Sequence, residues 1–522
     1  MTGYGLLCGL AVVVAMPSAA VAADADVLVV SATPGGVMAA VAAARSGAAV
    51  LLVEEKNHVG GILAGGLTNN DIRKHETVGG LFQEFRRRVR DFYARKYGAN
   101  SLAFKACRDG NHYEPHVAER VFREMLAGEP RIRLIERHRL AAAEVKDGRL
   151  WRASFDDLAS GGRRVGFTAA VFIDATYEGD LAALARVPYR VGRESRDEYG
   201  EPHAGRVYVK FGQTQLLPGS TGAADDGIQA FCFRFYLTKV AANRVPVEQP
   251  DGYCRDDYRH LLADIRAGKV VKLRDAIQLW PMPNDKFEAN SDHPHPDTGV
   301  PSESLDLAEE NWCLPEADWR ERERLFRRYW SYNEGLMWFL QHDADVPAAI
   351  RAEASEFGFP KDEFTDHRNR PHHLYVRQGR RIRGAYTFTQ RDADPDPATG
   401  RPRRRADAIA VAEFPFDSHG VHKFDPAHPG VREGYIFIDH PPLPVPYGVI
   451  VPQRVDGLLV PVACSASHVG YQALRVEPCF MALGEAAGIA AGLAVKQGVP
   501  PRRVPLPDLQ REIVRRGGVI SY

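Results

Sequence analysis

Residues 26–66 constrain this chain more than any other stretch: DVLVVSATPGGVMAAVAAARSGAAVLLVEEKNHVGGILAGG. The β-branched run at residues 27–30 predicts a buried strand. A turn of small residues follows, Ser31-Ala32-Thr33-Pro34-Gly35-Gly36, and residues 37–46 read as an alanine-rich helix closed by Gly47. A second apolar run, residues 49–53, ends in Glu54-Glu55. Strand, glycine turn, helix, strand and acid is the order of a βαβ unit that grips a dinucleotide. Small side chains let a pyrophosphate reach the backbone, and the helix N-terminus offers free N–H groups and partial positive charge. A carboxylate at Glu54 is placed to accept ribose hydroxyls. Ser31 stands where G-x-G-x-x-G has its first glycine, so glycine spacing alone is a weak signal, and an ordinary βαβ unit with a tight turn is the competing explanation.

With 522 residues, 45% of them apolar, the chain is globular and long enough for two or three domains. Its formal net charge of +0 argues against a nucleic-acid partner. The seven cysteines include no CxxC pair and no Cys/His ligand spacing, so no metal site is expected. Cys8 lies in a leader; the other six read as buried thiols, some of which an exported protein could pair. Residues 6–14 are apolar and run into PSAAVAA, the pattern of a secretory signal peptide over residues 1–23, which implies a periplasmic or secreted protein. No Lys or Arg precedes that run, so a start assigned too far upstream, with a cytoplasmic protein, is the alternative. The run is too short for a stable membrane span.

Further along, residues 79–97 form a charged amphipathic surface helix, and residues 132–135 and 141–145 two strands before an Asp147-Gly148 turn. Residues 170–174 are a strand ending in the turn Ala175-Thr176-Tyr177-Glu178-Gly179, with a helix from Asp180. From residue 187 to about 370 aromatics, prolines and loops dominate, with strand-like pieces at residues 206–211 and 231–237 and a long polar loop at 281–311 that contains His293 and His295. Residues 326–342 read as an aromatic core helix. VRQGRRIRG at residues 376–384 predicts a strand with alternate arginines turned inward. Residues 458–462 are a strand, and an Ala/Gly-rich helix opens near Glu477-Pro478 and runs to about Lys496.

Five stretches resemble one family. Residues 32–67 resemble the N-terminal segment of the FAD-dependent oxidoreductases, within the glutathione-reductase-type flavoproteins with two dinucleotide-binding domains. IDATYEGDLAALA is close to the second motif of that family. RQGRRIRG and FDSH resemble its RxGRRI(R/V)G and (I/F)DSH elements, and RVEPCFMALGEAAG its closing segment. The resemblance implies FAD as cofactor and an α/β fold: a Rossmann-like, doubly wound FAD-binding domain (residues 24–186 and 376–505) with an inserted α+β substrate domain (187–375) and a tail (506–522). It implies cofactor contacts at Ser31, Thr33, Pro34, Gly35, Gly36, Glu54, Glu55, Gly60, Gly61, Asp174, Ala175, Thr176, Gly179, Asp180, Glu477, Pro478, Met481 and Ala482. For Asp174 a strand-end cap, and for Asp180 a first-turn acid favoured by the helix dipole, are equal alternatives. The Ser31 hydroxyl could face the phosphate. The closing helix aims its N-terminus at the flavin N1–C2=O edge, where its dipole stabilises negative charge, and Ala482, Gly484, Ala486, Ala487 and Gly488 permit close approach.

In such an enzyme the flavin carries the redox chemistry and the protein positions substrate and moves a proton. His468, after the flavin-proximal strand, is the first candidate base and His419 the second; Arg475 could bind an anionic or carbonyl oxygen, with Arg377 and Arg381 as weaker candidates. Either histidine could instead be a strand-end cap. His58 lies near the dinucleotide site, as a covalently attached residue would. The first reading is hydride transfer between a small polar substrate, carbohydrate-derived molecules included, and flavin N5, with an unidentified electron acceptor. Its rivals are a redox-neutral flavin-requiring lyase, an NAD-dependent dehydrogenase, which the closing segment argues against, and a non-enzymatic flavin-binding protein.

Overall fold

The computed structural model describes residues 23–290, 304–400, 403–428 and 430–522. Most of the expected signal peptide, with His293 and His295, lies outside those residues. The first half of the chain builds β1 (Ala25–Val30), α1 (Pro34–Arg45), β2 (Val50–Val53), α2 (Gly80–Tyr97), α3 (Pro115–Ala127) and β3 (Ile132–Ile135), then β4 (His138–Lys146), β5 (Arg149–Asp157) and β6 (Arg163–Asp174). β3, β2, β1 and β6 are parallel neighbours in that order. β1 and β2 are apolar almost throughout because parallel strands here are covered on both faces. β6 serves two partners: Arg163–Thr168 pairs antiparallel with β5, and Ala169–Asp174 pairs parallel with β1. The strand end at Asp174 is thereby delivered beside the β1 turn.

In the middle of the chain β7 (Phe235–Thr238), β8 (Gln278–Met282) and β9 (Lys286–Asn290) form an antiparallel sheet in the order β8-β9-β7. β8 and β9 occupy part of the expected 281–311 loop; they turn through Pro283-Asn284-Asp285, where Asn284 (φ 61°) and Asp285 (φ 54°) are left-handed. Residues 206–211 make only an isolated bridge, Val209 to Leu216, and the 231–237 strand begins at Phe235. α4 (Trp319–His342) starts at an Asp318 cap that accepts from the Glu321 N–H, and it buries Leu325, Tyr329, Leu336 and Leu340.

The chain then returns with β10 (Leu458–Leu459), parallel to β6, followed by α5 (His468–Leu474) and α6 (Glu477–Gln497). α6 is long and apolar enough to cross a bilayer, but most of it is buried inside the protein, chiefly on α1. A Cβ on Gly484 would overlap the Gly35 carbonyl oxygen, and one on Gly488 that of Ala39. The close approach these glycines permit is thus to α1 rather than to a ligand. Arginines 377–383 do not alternate. Arg381–Ile382 is a two-residue strand; Arg377, Arg380 and Arg381 are all buried and Arg383 is exposed. Each buried one meets a carboxylate, Asp306, Asp180 and Glu194 respectively, and these partners decide the direction of each side chain.

Candidate functional site

The α1 N-terminus is tied to the end of β6 by one side chain. Thr33 caps the helix, its Oγ1 accepting from the Gly36 N–H (3.2 Å) and donating to Ala175 O (2.8 Å). Gly36 has no room for a Cβ, which would overlap Ser31 O. No acid stands in the first turn of α1, so its positive end is open to an anion. Ser31 takes the left-handed conformation (φ 74°) that costs a non-glycine residue about 1–2 kcal/mol. Its hydroxyl does not face the phosphate position: it donates to Glu54 Oε2 at 3.0 Å. The same oxygen accepts the Ala32 N–H (2.6 Å), and Oε1 accepts the Lys56 N–H (3.0 Å). Glu54 therefore braces the turn and keeps acceptor capacity on Oε1. With Ser31, Glu55, Lys56, Thr176 and Asp180 it lines a narrow cleft of about 90 Å³. Burial pushes the Glu55 carboxyl up to about 7.

The second motif lines the same cleft, and the third is joined to it through Tyr177. Asp174 is fully buried and accepts from Thr176 N–H (3.0 Å), Thr176 Oγ1 (2.7 Å) and Ala182 N–H (2.8 Å), which is cap geometry. Asp180 does more than meet a helix dipole: Arg322 (2.6 and 2.8 Å) and Arg380 (2.8 Å) both donate to it, pinning α4 and the arginine strand to the cleft wall. Gly179 is left-handed (φ 70°). Gly60 donates its N–H to Ala32 O (2.7 Å), and a Cβ on Gly61 would lie 2.6 Å from Tyr177 Oη. Tyr177 Oη accepts from Ile62 N–H (3.2 Å) and donates to Glu477 Oε1 (2.7 Å). Glu477 opens α6 at 2% exposure; its Oε2 has no partner, and burial raises its carboxyl to about 8. Pro478 follows, and Phe480 O lies 3.0 Å from where a Gly35 Cβ would sit. Met481 is fully buried and Ala482 half-buried. Helix N-termini for phosphate, Glu54 for a ribose and an orphaned buried carboxyl oxygen at Glu477 fit FAD as the sequence implied.

A second cavity, about 370 Å³, includes Asp71, Arg234, Trp280, Asp417, His419 and Arg475 in its lining. His419 Nδ1 lies 2.6 Å from Asp306 Oδ2, and Arg377 holds Asp306 ionised from 2.9 Å. Burial, with Arg377 second, lowers the His419 pKa against the pull of Asp306. A ring nitrogen facing a carboxylate carries the proton, so Nε2 is left as the basic atom, 4.0 Å from Asp417 Oδ2. Arg475 has four of its five N–H groups committed: Nη2 to Asp417 O and Oδ2 (both 2.7 Å), Nε to Asp417 O (3.0 Å) and Nη1 to Tyr375 Oη (3.0 Å). His468 stands elsewhere. Its ring Nδ1 and backbone N–H both meet Glu194 Oε2, at 3.0 and 2.8 Å, and it does not line the cavity. Arg381 joins it on Glu194. Asp306 and Arg234 went unnamed in the sequence. Asp306 sits in no motif, but Arg234 interrupts the apolar run FCFRFYL, a legible sign of a buried charge.

Two clusters bring possible metal ligands together from distant parts of the chain. Between Glu114 and Glu363, beside His116, the Lys286 ammonium already stands 2.6 Å from each carboxylate. His58 lies near Glu119 and His372, but the two imidazoles stack 3.9 Å apart and nearly parallel, so no single ion lies in both ring planes. Both nitrogens of His58 face carboxylates, Glu119 at 3.0 Å and Asp366 at 3.2 Å, which argues against covalent flavin attachment there.

The family described as FAD dependent oxidoreductase matches residues 26–513. No curated protein matches the chain. Among solved structures, the chain is similar to AlpK (11% identity, TM-score 0.26, 51% of this chain and 43% of that one). It is also similar to the flavin-dependent monooxygenase PieE in complex with FAD and substrate (15%, 0.22, 33% and 34%) and to the glycerol-3-phosphate dehydrogenase from Bacillus halodurans complexed with FAD (12%, 0.22, 37% and 44%). The chain spans less than half the length of each, and likenesses this weak carry no argument about chemistry.

Proposed function

The chain belongs to the FAD dependent oxidoreductase family, and from that premise we propose a dehydrogenase or oxidase that removes hydride and a proton from a small polar substrate in the His419 cavity. FAD, when bound, supplies the two-electron acceptor for the hydride. On this reading residues 24–186 and 376–505 hold FAD, and residues 187–375 supply one side of the substrate cavity. Glu54 Oε1 takes a ribose hydroxyl, the α1 N-terminus takes the pyrophosphate, and Glu477 Oε2 donates to the cofactor while protonated.

His419 Nε2 accepts the substrate O–H proton. Asp306 holds the ring in the required tautomer and stabilises the imidazolium that forms. Arg475 holds Asp417 and the loop that carries His419 in place. The observation that carries the reading is the Asp306–His419 pair, buried yet opening into a cavity, whereas His468 is enclosed by Glu194. The test is anaerobic mixing of the FAD-loaded protein with a panel of sugars, polyols, hydroxy acids and amines. Bleaching near about 450 nm by at least one member is expected. Failure of the whole panel to bleach a flavin that dithionite reduces would count against it.

A further inference from the structure

Among the described residues, every fully enclosed side-chain atom of this cavity lining that lacks a partner is a donor. Arg234 is 3% exposed, and neither its Nε nor its Nη1 makes a hydrogen bond. Its nearest acid oxygen, Glu288 Oε1, is 3.7 Å away. The other Glu288 oxygen is occupied by Thr68 N–H (2.7 Å), Thr68 Oγ1 (3.1 Å) and Asn69 N–H (2.9 Å). Trp280 Nε1 and Asn70 Nδ2 are likewise unsatisfied, while Asn70 Oδ1 accepts from Tyr113 Oη. Among the described residues, the fully enclosed side-chain atoms of the cavity lining that lack a partner are these four, and the acceptors that remain, on His419 and Asp71, belong to less enclosed atoms.

The sheet places Trp280 and Arg234 beside Glu288. Trp280 on β8 is directly opposite Glu288 on β9, which is opposite Tyr236 on β7. Arg234 immediately precedes β7, two residues before Tyr236, and its guanidinium approaches Glu288 at 3.7 Å. The guanidinium lies over the Tyr375 ring, 5.4 Å from its centroid, which fixes its plane. Leaving such donors desolvated and unmade is costly, so the cavity is built for a ligand that brings acceptors.

We propose that the substrate of this cavity is a hydroxy acid whose carboxylate is held by Arg234, with Trp280 and Asn70 completing the set. The proposal rests on the preceding reading in placing the substrate here. A neutral polyol brings a donor with every acceptor and would not relieve the imbalance, whereas a carboxylate brings acceptors only and matches the planar guanidinium. The acids around it are damped. Asp417 is paired with Arg475 at 2.7 Å. Burial raises Glu288 to about 7 and raises Asp71 against the opposing pull of Arg234 and Arg475. His419 then faces the hydroxyl end of a molecule anchored at its carboxylate.

The experiment is calorimetric titration of the FAD-loaded protein with D-gluconate, D-glucuronate and L-lactate, each against a neutral counterpart: D-glucose, D-glucuronamide and propane-1,2-diol. At least one acid should bind on the order of tenfold or more tightly than its neutral partner. Arg234→Gln should erase the difference, and Arg234→Lys should keep part of it. Equal or weaker binding by every acid overturns the proposal, as does a preference that survives in Arg234→Gln. If that variant does not fold, the wild-type pairs and Arg234→Lys still decide. Heat of binding is independent of turnover. Acids that bind without bleaching the flavin would sink the redox reading alone, and bleaching by neutral polyols without acid preference would sink this one alone.

Discussion

Replacing His419 by asparagine removes the basic nitrogen while keeping a donor for Asp306. His419 is buried and contributes one ring hydrogen bond, to Asp306 at 2.6 Å. An asparagine N–H can replace much of that bond, so the stability cost should stay near 1–2 kcal/mol. His419 lines the substrate cavity and not the Glu54 cleft, so flavin content should not change. Loss of the base should slow anaerobic flavin reduction by roughly 10²–10⁴-fold. Rapid mixing measures that rate beside a flavin assay and a thermal melt. pH supplies a second signature. The base works while neutral, and burial with Arg377 lowers its pKa, so the wild-type rate should hold through neutral pH and fall only below the ordinary histidine range. The variant should lack that acid limb. Asp306→Asn is a poorer probe because it leaves the buried Arg377 guanidinium without its charge partner. Full-rate reduction by His419→Asn would refute the assignment, and loss of FAD or fold would make His419 structural.

Glu477 holds a proton in the folded state up to about 8 that an ordinary glutamate, at 4.5, has released. Stability of the cofactor-free protein should therefore fall as pH rises between those values, and Glu477→Gln should flatten the melting temperature across pH 5–9. Glu54→Ala should weaken FAD binding by about 1–3 kcal/mol. It should also lower the melting temperature of the cofactor-free protein, since Glu54 braces Ala32 and Ser31; affinity unchanged within about twofold would move the ribose to Glu55. Gly484→Ala forces a methyl into the Gly35 carbonyl and should destabilise by at least about 1–3 kcal/mol, with loss of FAD because the same backbone shapes the α1 N-terminus. A stable, yellow Gly484→Ala protein would show that α1 and α6 can separate without consequence.

What was legible in the sequence is what local chemistry dictates. The β1 turn, α1 and the acid after β2 follow from residues adjacent in the chain, and all three stand where the βαβ pattern placed them. The β8–β9 hairpin was hidden because its turn uses left-handed Asn284 and Asp285 rather than glycine. The arginine strand misled for a different reason. Alternation holds where a strand lies between a core and water, and here three arginines are drawn inward by carboxylates from residues 180, 194 and 306, far apart in sequence.

The catalytic choice shows the same limit more sharply. Sequence position puts His468, just after the flavin-proximal strand, ahead of His419, although each lies close to a strand end and a flavin-like motif. They differ in partners supplied from elsewhere: Asp306 leaves the Nε2 side of His419 toward a cavity, while Glu194, pinned by Arg381, ties His468 to the start of α5. Neither carboxylate belongs to a motif, so no spacing rule could show which histidine opens into a cavity. The one long-range signal that was readable is Arg234, because a charge inside an apolar run of sequence must be satisfied by something. In this fold the protein answers it only at 3.7 Å, and that shortfall is what the proposed carboxylate would make good.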